Sequence, residues 1–159
     1  MRRLDLRLIV ETVSFIVIAA LILLTPKVVL PALLGTEVPL AVIESGSMER
    51  TLHIGDVVIV RGASPREIKT GDIIVFRAKF LRGSLAVHRV IKVVEVNGRI
   101  YFLTKGDANV APDPLVYGVG SVSEEDLKGK VIAKIPLVGY MTLTFSTILS
   151  GILGFLKPE

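Results

Sequence analysis

The chain has no cysteine, no tryptophan and no glutamine, and only two histidines in 159 residues. Without cysteine there is no disulfide, no thiol nucleophile and no thiolate-bound metal. With histidine confined to His53 and His88, a histidine-rich metal site is not expected, and neither a metal nor another cofactor is called for. Charge is also sparse and balanced: 19 Lys and Arg stand against 15 Asp and Glu, a net +4. The basic residues are scattered, with no stripe and no tryptophan to stack on bases, so no nucleic-acid partner is expected. What the chain has in excess is apolar surface. Hydrophobic residues make up 51% and mean hydropathy is +0.65, high for a domain that meets only water. The length suits one domain plus one or two membrane segments.

The apolar excess is uneven. After a start carrying Arg2, Arg3 and Arg7, Leu8 to Leu24 is broken only by Glu11, Thr12 and Ser14. As a helix that run rises about 25 Å, close to the hydrocarbon thickness of roughly 30 Å. Arg7 and Glu11 are spaced to pair on one helix face near the interface. Pro26 and Pro31 predict a bend or an end. The basic start places the N-terminus in the cytosol and the following residues outside. A cleavable signal peptide is the alternative, but the apolar run is long for one and no small-residue cleavage site follows. An uncleaved anchor is the expectation. At the other end, Leu137 to Leu156 carries no charge and has small residues at Gly139, Gly151 and Gly154. This predicts a hydrophobic C-terminal helix, either a second membrane segment or a helix docked on the domain or at the interface.

Between these segments the pattern is β. Val38 to Ile43 reads as a strand. Gly55-Asp56 and Gly71-Asp72 are turn pairs, each feeding a β-branched run, Val57 to Val60 and Ile73 to Phe76. Leu85 to Val96 and Arg99 to Thr104 flank Asn97-Gly98, a strong hairpin signal. Lys105 to Gly120 reads as a loop, Ser123 to Gly129 as a helical turn or two capped by Ser123, and Lys130 to Ile135 as a strand. The fold class expected is mainly β: a twisted antiparallel sheet, partly barrel-like, between an N-terminal transmembrane helix and the hydrophobic C-terminal helix.

The first predicted strand runs into Glu44-Ser45-Gly46-Ser47-Met48-Glu49. A glycine between two serines turns the backbone sharply and lifts a hydroxyl clear of the strand, as a serine nucleophile requires. Ser-Gly-Ser is also ordinary turn chemistry. Its significance depends on a base, and His88, on a predicted strand, is the one suited to exchanging a proton with Ser47. An acid is needed to orient the imidazole. Asp107 and Asp113 both lie in the loop that the Asn97-Gly98 hairpin carries back towards His88. Asp113 is stiffened by Pro112 and Pro114, whereas Asp107 is expected to bond backbone within its own turn. Asp56 and Asp72 read as turn residues, and His53 as a surface or substrate-side residue.

Ser45-Gly46-Ser47-Met48-Glu49 with Thr51-Leu52, Gly55-Asp56, Gly71-Asp72-Ile73-Ile74-Val75-Phe76, His88-Arg89 and Lys105-Gly106-Asp107 together resemble type I signal peptidases. The branch is the archaeal and endoplasmic-reticulum type, which uses histidine where the bacterial branch has lysine. The resemblance runs from about Val38 to Tyr140. It implies Ser47 as nucleophile, His88 as general base, Asp113 as the acid of the triad and Asp107 as a second important acid. It implies an oxyanion hole from Ser45 and the backbone N–H of Ser47, and a small-residue pocket lined by Ile43, Met48 and Leu52. Arg50 stands where the family usually has proline, and Ala108 where asparagine is common.

The implied partners are signal peptides of secretory preproteins, the lipid bilayer, and other membrane subunits or the translocon. The implied location is the cell membrane, or the endoplasmic-reticulum membrane in a eukaryote. The expected division is 1–35 as cytosolic start and anchor, 36–136 as extracytoplasmic catalytic domain and 137–159 as the C-terminal helix. Two other readings compete. One is a serine–lysine dyad with Lys79 or Lys92 as base, a lysine that desolvation would have to neutralise. The other is a membrane-anchored β domain that binds a partner without catalysis.

Overall fold

The computed structural model describes residues 3–136; the predicted C-terminal helix lies outside the described residues. The chain opens with α1, Arg3–Leu24. It passes through a wide π-helical turn at Thr25–Val29 into the short α2, Leu30–Leu34. The two prolines account for this. Pro26 has no N–H for the α ladder and breaks it. Pro31 falls in the first turn of α2, where a missing N–H costs nothing. The helical segments 7–22 and 27–34 meet at a 45° bend. Among the described residues no single helix is both long and apolar enough to cross a membrane; the bent pair passes that test together, by length and composition. Leu8, Phe15 and Ile22 of α1 are 56%, 74% and 67% exposed, so the β domain does not cover this helix.

The rest is one antiparallel sheet of seven strands in the order β1-β2-β7-β3-β4-β5-β6. The strands are β1 Leu40–Val42, β2 Val57–Arg61, β3 Ile73–Ala78, β4 Ser84–Val96, β5 Arg99–Lys105, β6 Val122–Ser123 and β7 Leu127–Ile135. Six of them fall where the sequence places strands. The β4–β5 hairpin turns at Asn97 (φ 53°) and Gly98 (φ 75°), the paired positive φ of a type I′ turn. The two-residue β6 was not anticipated, and the stretch expected to open helically at Ser123 holds only a 3₁₀ turn, Glu124–Asp126.

β3 has no solvent face over most of its length, which is why its sequence is a continuous apolar run instead of an alternating one. Ile74, Phe76 and Ala78 pack with Ala86, Val90, Ile100, Phe102 and Val122 on one side. Val75 packs with Ile43, Met48, Leu52, Val58 and Val60 on the other. Phe76 and Phe102 are fully buried; truncating either to alanine costs about 3–5 kcal/mol.

The two cores exist because the sheet curls. Four inter-strand steps separate β1 from β4, about 19 Å in a flat sheet. Yet the turn after β1 reaches a side chain of β4 at 3.1 Å. Register shifts at Ile59/Val60, Val75/Phe76 and Val90/Lys92 add twist on the way round.

Candidate active site

Ser47 sits in a 3₁₀ turn, Gly46–Met48, that begins just past β1. Met48, 1% exposed, anchors this turn in the second core. From the far side, the backbone after β5 locks against it: the N–H of Ala108 donates to the carbonyl of Ser47 at 2.9 Å. The approach is possible only because residue 106 is glycine. A Cβ there would stand 2.5 Å from the Ser47 carbonyl oxygen.

His88 is buried on β4 at 6% exposure. Its Nε2 lies 3.1 Å from Ser47 Oγ and its Nδ1 lies 2.6 Å from Asp113 Oδ2. Thr104 Oγ1 donates to the same Asp113 oxygen at 2.6 Å. A carboxylate only accepts, so Nδ1 carries the ring proton and Nε2 is left to accept from the serine hydroxyl. The backbone of Asp113 is tied as firmly as its side chain. Its N–H donates to the Thr104 carbonyl at 2.8 Å, and its carbonyl accepts from Ser121 Oγ at 2.9 Å. The Phe76 ring meets the imidazole edge-on, 6.1 Å between centroids.

Asp107 has a different environment. Sequence reasoning expected it to serve its own turn; instead its carboxylate takes Arg89 in a fork, Nε at 2.8 Å and Nη2 at 2.7 Å. It also accepts from Thr51 Oγ1 at 2.5 Å. Arg89 Nη1 donates to the Gly71 carbonyl at 2.8 Å. One guanidinium thus joins the loop after β5, the loop before β3 and the segment after the serine turn. The Arg89 hydrogen bonds hold the Asp107 carboxyl below the usual carboxylate range. The same bonds push the Arg89 guanidinium up. Arg89 directly follows His88 on the strand, and alternation sends the two to opposite faces.

Ser45 Oγ lies 3.2 Å from Ser47 Oγ. Ile43 and Met48 line a cleft of about 490 Å³ that also contains Ser45, Ser47, His88 and Asp113. Leu52 is buried in the second core with Met48 and is not among the residues lining the cleft. The cleft runs between Val42, Ile43 and Glu44 on one side and Leu85, Ala86 and Val87 on the other, with Phe80 and Leu81 also lining it. Both sides are strand edges. β1 pairs only with β2, and β5 begins its pairing with β4 at Arg89, so residues 84–88 pair with β3 alone.

Lys79, the alternative base, does not line the cleft. Its Nζ lies 3.9 Å from Asp126 Oδ2 and 4.8 Å above the Tyr117 ring. Hydrogen bonding to Tyr117 raises its pKa; desolvation opposes this, and the charge of Asp126 adds to the rise. Tyr117 and Ser123 hydroxyls also donate to Asp126. His53 is 54% exposed, with Glu49 at 3.7 Å and Asp56 at 3.8 Å. Asp56 and Asp72 do serve turns, accepting from the N–H of His53 and of Lys69. Sequence reasoning missed Thr104 and Arg89 as supporting groups. The basic residue beside the histidine was the visible signal for Arg89; nothing local marks Thr104.

Residues 9–102 match the family described as signal peptidase, peptidase S26. The human signal peptidase complex catalytic subunit SEC11C is 38% identical over 114 residues, covering 70% of this chain and 59% of that protein. The mouse SEC11C matches to the same extent. The signal peptidase complex catalytic subunit sec11 of Sclerotinia sclerotiorum is 34% identical over 124 residues, 73% of this chain and 72% of that protein. The matched part of the chain thus spans 59% of the length of the mammalian relatives. A family match over more than half of the chain, joined to these identities, places it: the chain belongs to the signal peptidase family, peptidase S26.

Proposed function

We propose that the chain is a membrane-anchored serine endopeptidase that removes signal peptides from secretory preproteins after small residues. The single observation that carries this reading is the continuous hydrogen-bonded path from Ser47 through His88 to Asp113, opening on a cleft.

In this mechanism Ser47 Oγ attacks the scissile carbonyl while His88 Nε2 takes its proton. The proton then passes to the leaving amine, and water repeats the sequence on the acyl-enzyme. Asp113 keeps the ring in the required tautomer. The developing oxyanion is met by Ser45 Oγ and the N–H of Ser47. The first N–H groups of a 3₁₀ turn have no acceptor within it, which favours the second donor. Asp107 does not touch the reacting atoms; with Arg89 and Thr51 it holds the nucleophile's turn in place. An extended peptide fits between the two open edges, β1 and residues 84–88, pairing its main chain with them. Ile43 and Met48 shape the pocket for its small side chain.

The anchor reading rests on α1, whose large apolar side chains are exposed along its length. Such a surface calls for lipid or protein cover. Residues 1–35 then lie in and behind the membrane and 36–136 outside it; the second membrane segment expected at 137–156 lies outside the described residues. The names of the relatives suggest partner subunits of a signal peptidase complex.

The test is cleavage of a preprotein by the chain reconstituted in lipid vesicles, comparing parent, S47A and H88A. Cleavage by the parent alone supports the reading. Intact cleavage by S47A sinks it, and intact cleavage by H88A moves the base elsewhere.

A further inference from the structure

The junction between α2 and the sheet is built as a joint with no slack. The N–H of Gly62, just past β2, donates to the carbonyl of Leu34 at 2.7 Å. α2 ends at Gly35 with φ 62° and ψ 30°. A Cβ on Gly62 would lie 1.9 Å from the Gly35 oxygen, a backbone contact that no side-chain motion can relieve. The next residue is fixed as well. Thr36, 8% exposed, donates through Oγ1 to the Lys128 carbonyl at 2.6 Å and accepts from the N–H of Val38 at 3.1 Å. Lys128 Nζ reaches Glu37 at 2.7 Å, and the N–H of Val60 reaches the Pro39 carbonyl at 2.9 Å. Leu34 and the residues from Thr36 to Pro39 are therefore bonded to β2 or the residue after it, to β7 or within the segment, and Gly35 packs against Gly62. A flexible tether needs none of this.

The joint leads straight to the serine. Beyond Pro39 the chain becomes β1, in register with β2 from Leu40↔Ile59 to Val42↔Val57, and Ile43 still donates to the Asp56 carbonyl at 2.9 Å. The serine turn follows. At about 3.3 Å per residue the segment from Gly35 to Ser47 could reach roughly 40 Å at most, and its pairing with β2 fixes where Ser47 lies within that reach.

We infer that the Gly35–Gly62 contact and the Thr36 hydroxyl form a rigid joint that fixes the height of Ser47 relative to the anchor, so that the joint selects which bond of a membrane-inserted substrate is cut. Gly62 and Thr36 are positioning residues, outside the cleft and away from the reacting groups. The inference rests on the anchored-peptidase reading above. A substrate held in the same bilayer presents its peptide bonds at fixed heights, so a change of height at the enzyme changes the bond it meets. A soluble peptide has no fixed height and is indifferent to the joint.

The experiment compares two substrates with the full chain. One is a short soluble peptide with small residues before the scissile bond, given to the chain in detergent. The other is a preprotein with two adjacent small-residue sites, inserted with the chain in phosphatidylcholine vesicles. For G62A, kcat/KM on the peptide is expected to stay within about twofold. Cleavage at the parent's preferred site in vesicles is expected to fall about tenfold or move to the neighbouring site, since displacements near 1 Å carry effects of that order or more. T36V, which removes the hydroxyl without adding bulk, is expected to show the same split more weakly, with T36S restoring the parent pattern. It serves if G62A does not fold. Equal losses on both substrates, or no change of site or yield in vesicles, overturn the inference. A parent that cuts neither substrate overturns the peptidase reading, and this inference falls with it; a parent that cuts both with the joint variants unchanged overturns the inference alone.

Discussion

Asp113 holds His88 by Nδ1 at 2.6 Å, although His88 lies within β4 and Asp113 in the loop between β5 and β6, 25 residues away. The contact needs a third group, because Thr104 Oγ1 donates to the same carboxylate oxygen. In D113N the amide can turn its NH₂ towards His88, which favours the tautomer that no longer accepts from Ser47. The expected loss in kcat is about four orders of magnitude, measured on a soluble peptide in detergent. T104V should cost far less, on the order of tenfold, since it frees the carboxylate without removing it. Equal rates for D113N and parent would exclude Asp113 as the orienting acid.

The Asp107–Arg89 fork predicts a pH dependence of stability. Bonding to Arg89 lowers the folded-state pKa of Asp107. A depressed acid stabilises the fold above its unfolded pKa, about 3.9, and the contribution disappears as pH falls through the folded value. D107N should therefore be less stable than the parent at neutral pH, by about 1–3 kcal/mol. The gap should close as pH falls below about 4. Thermal melts of the two chains from pH 7 to pH 3 measure it. A gap that stays constant with pH would show that the charge of Asp107 is not what stabilises.

What the sequence disclosed and what it withheld divide along one line. Strands fed by Gly-Asp pairs, the Asn97-Gly98 hairpin and the break at Pro26 were legible because each follows from neighbouring residues. The role of Asp107 was misread because local turn chemistry competes with a guanidinium arriving from β4, and only the fold decides between them. The family resemblance implies Leu52 as a pocket residue, but the turn after Ser47 carries it into the core with Met48. Thr104 has no local signature, since its meeting with Asp113 depends on the register of β5 and on the loop returning to it. The curl that joins β1 to β4 was legible only through the family resemblance.

Lys79 is expected to be dispensable for proton transfer. Its amine is held protonated by Tyr117 and Asp126, and a protonated amine cannot act as a base. K79M should leave the pH dependence of kcat/KM unchanged. Its rate should fall modestly at most, through the neighbouring Phe80 and Leu81, which line the cleft. A shifted pH profile in K79M, with activity retained in H88A, would transfer the base to Lys79.

Arg50 adopts φ 98°, a backbone state that favours glycine and that proline, locked near −65°, cannot enter. The chain carries arginine where the family resemblance leads one to expect proline, so the turn after Ser47 takes a different path from the one proline would impose. Two substitutions separate conformation from chemistry. R50G relieves the strained φ, worth about 1–2 kcal/mol, against a cost of roughly 0.4–1 kcal/mol from a more flexible unfolded chain. A net gain of up to about 1 kcal/mol is expected, with little change in rate. R50P forces the backbone out of its native state and should cost about 3 kcal/mol or more. The movement would pass directly to Met48, whose carbonyl accepts from the N–H groups of Thr51 and Leu52. Ser47 should then lose its alignment with His88, so kcat should fall even at temperatures where R50P remains folded. If R50P is as stable and active as the parent, the turn is not held at positive φ, and the path described for residues 49–52 is wrong.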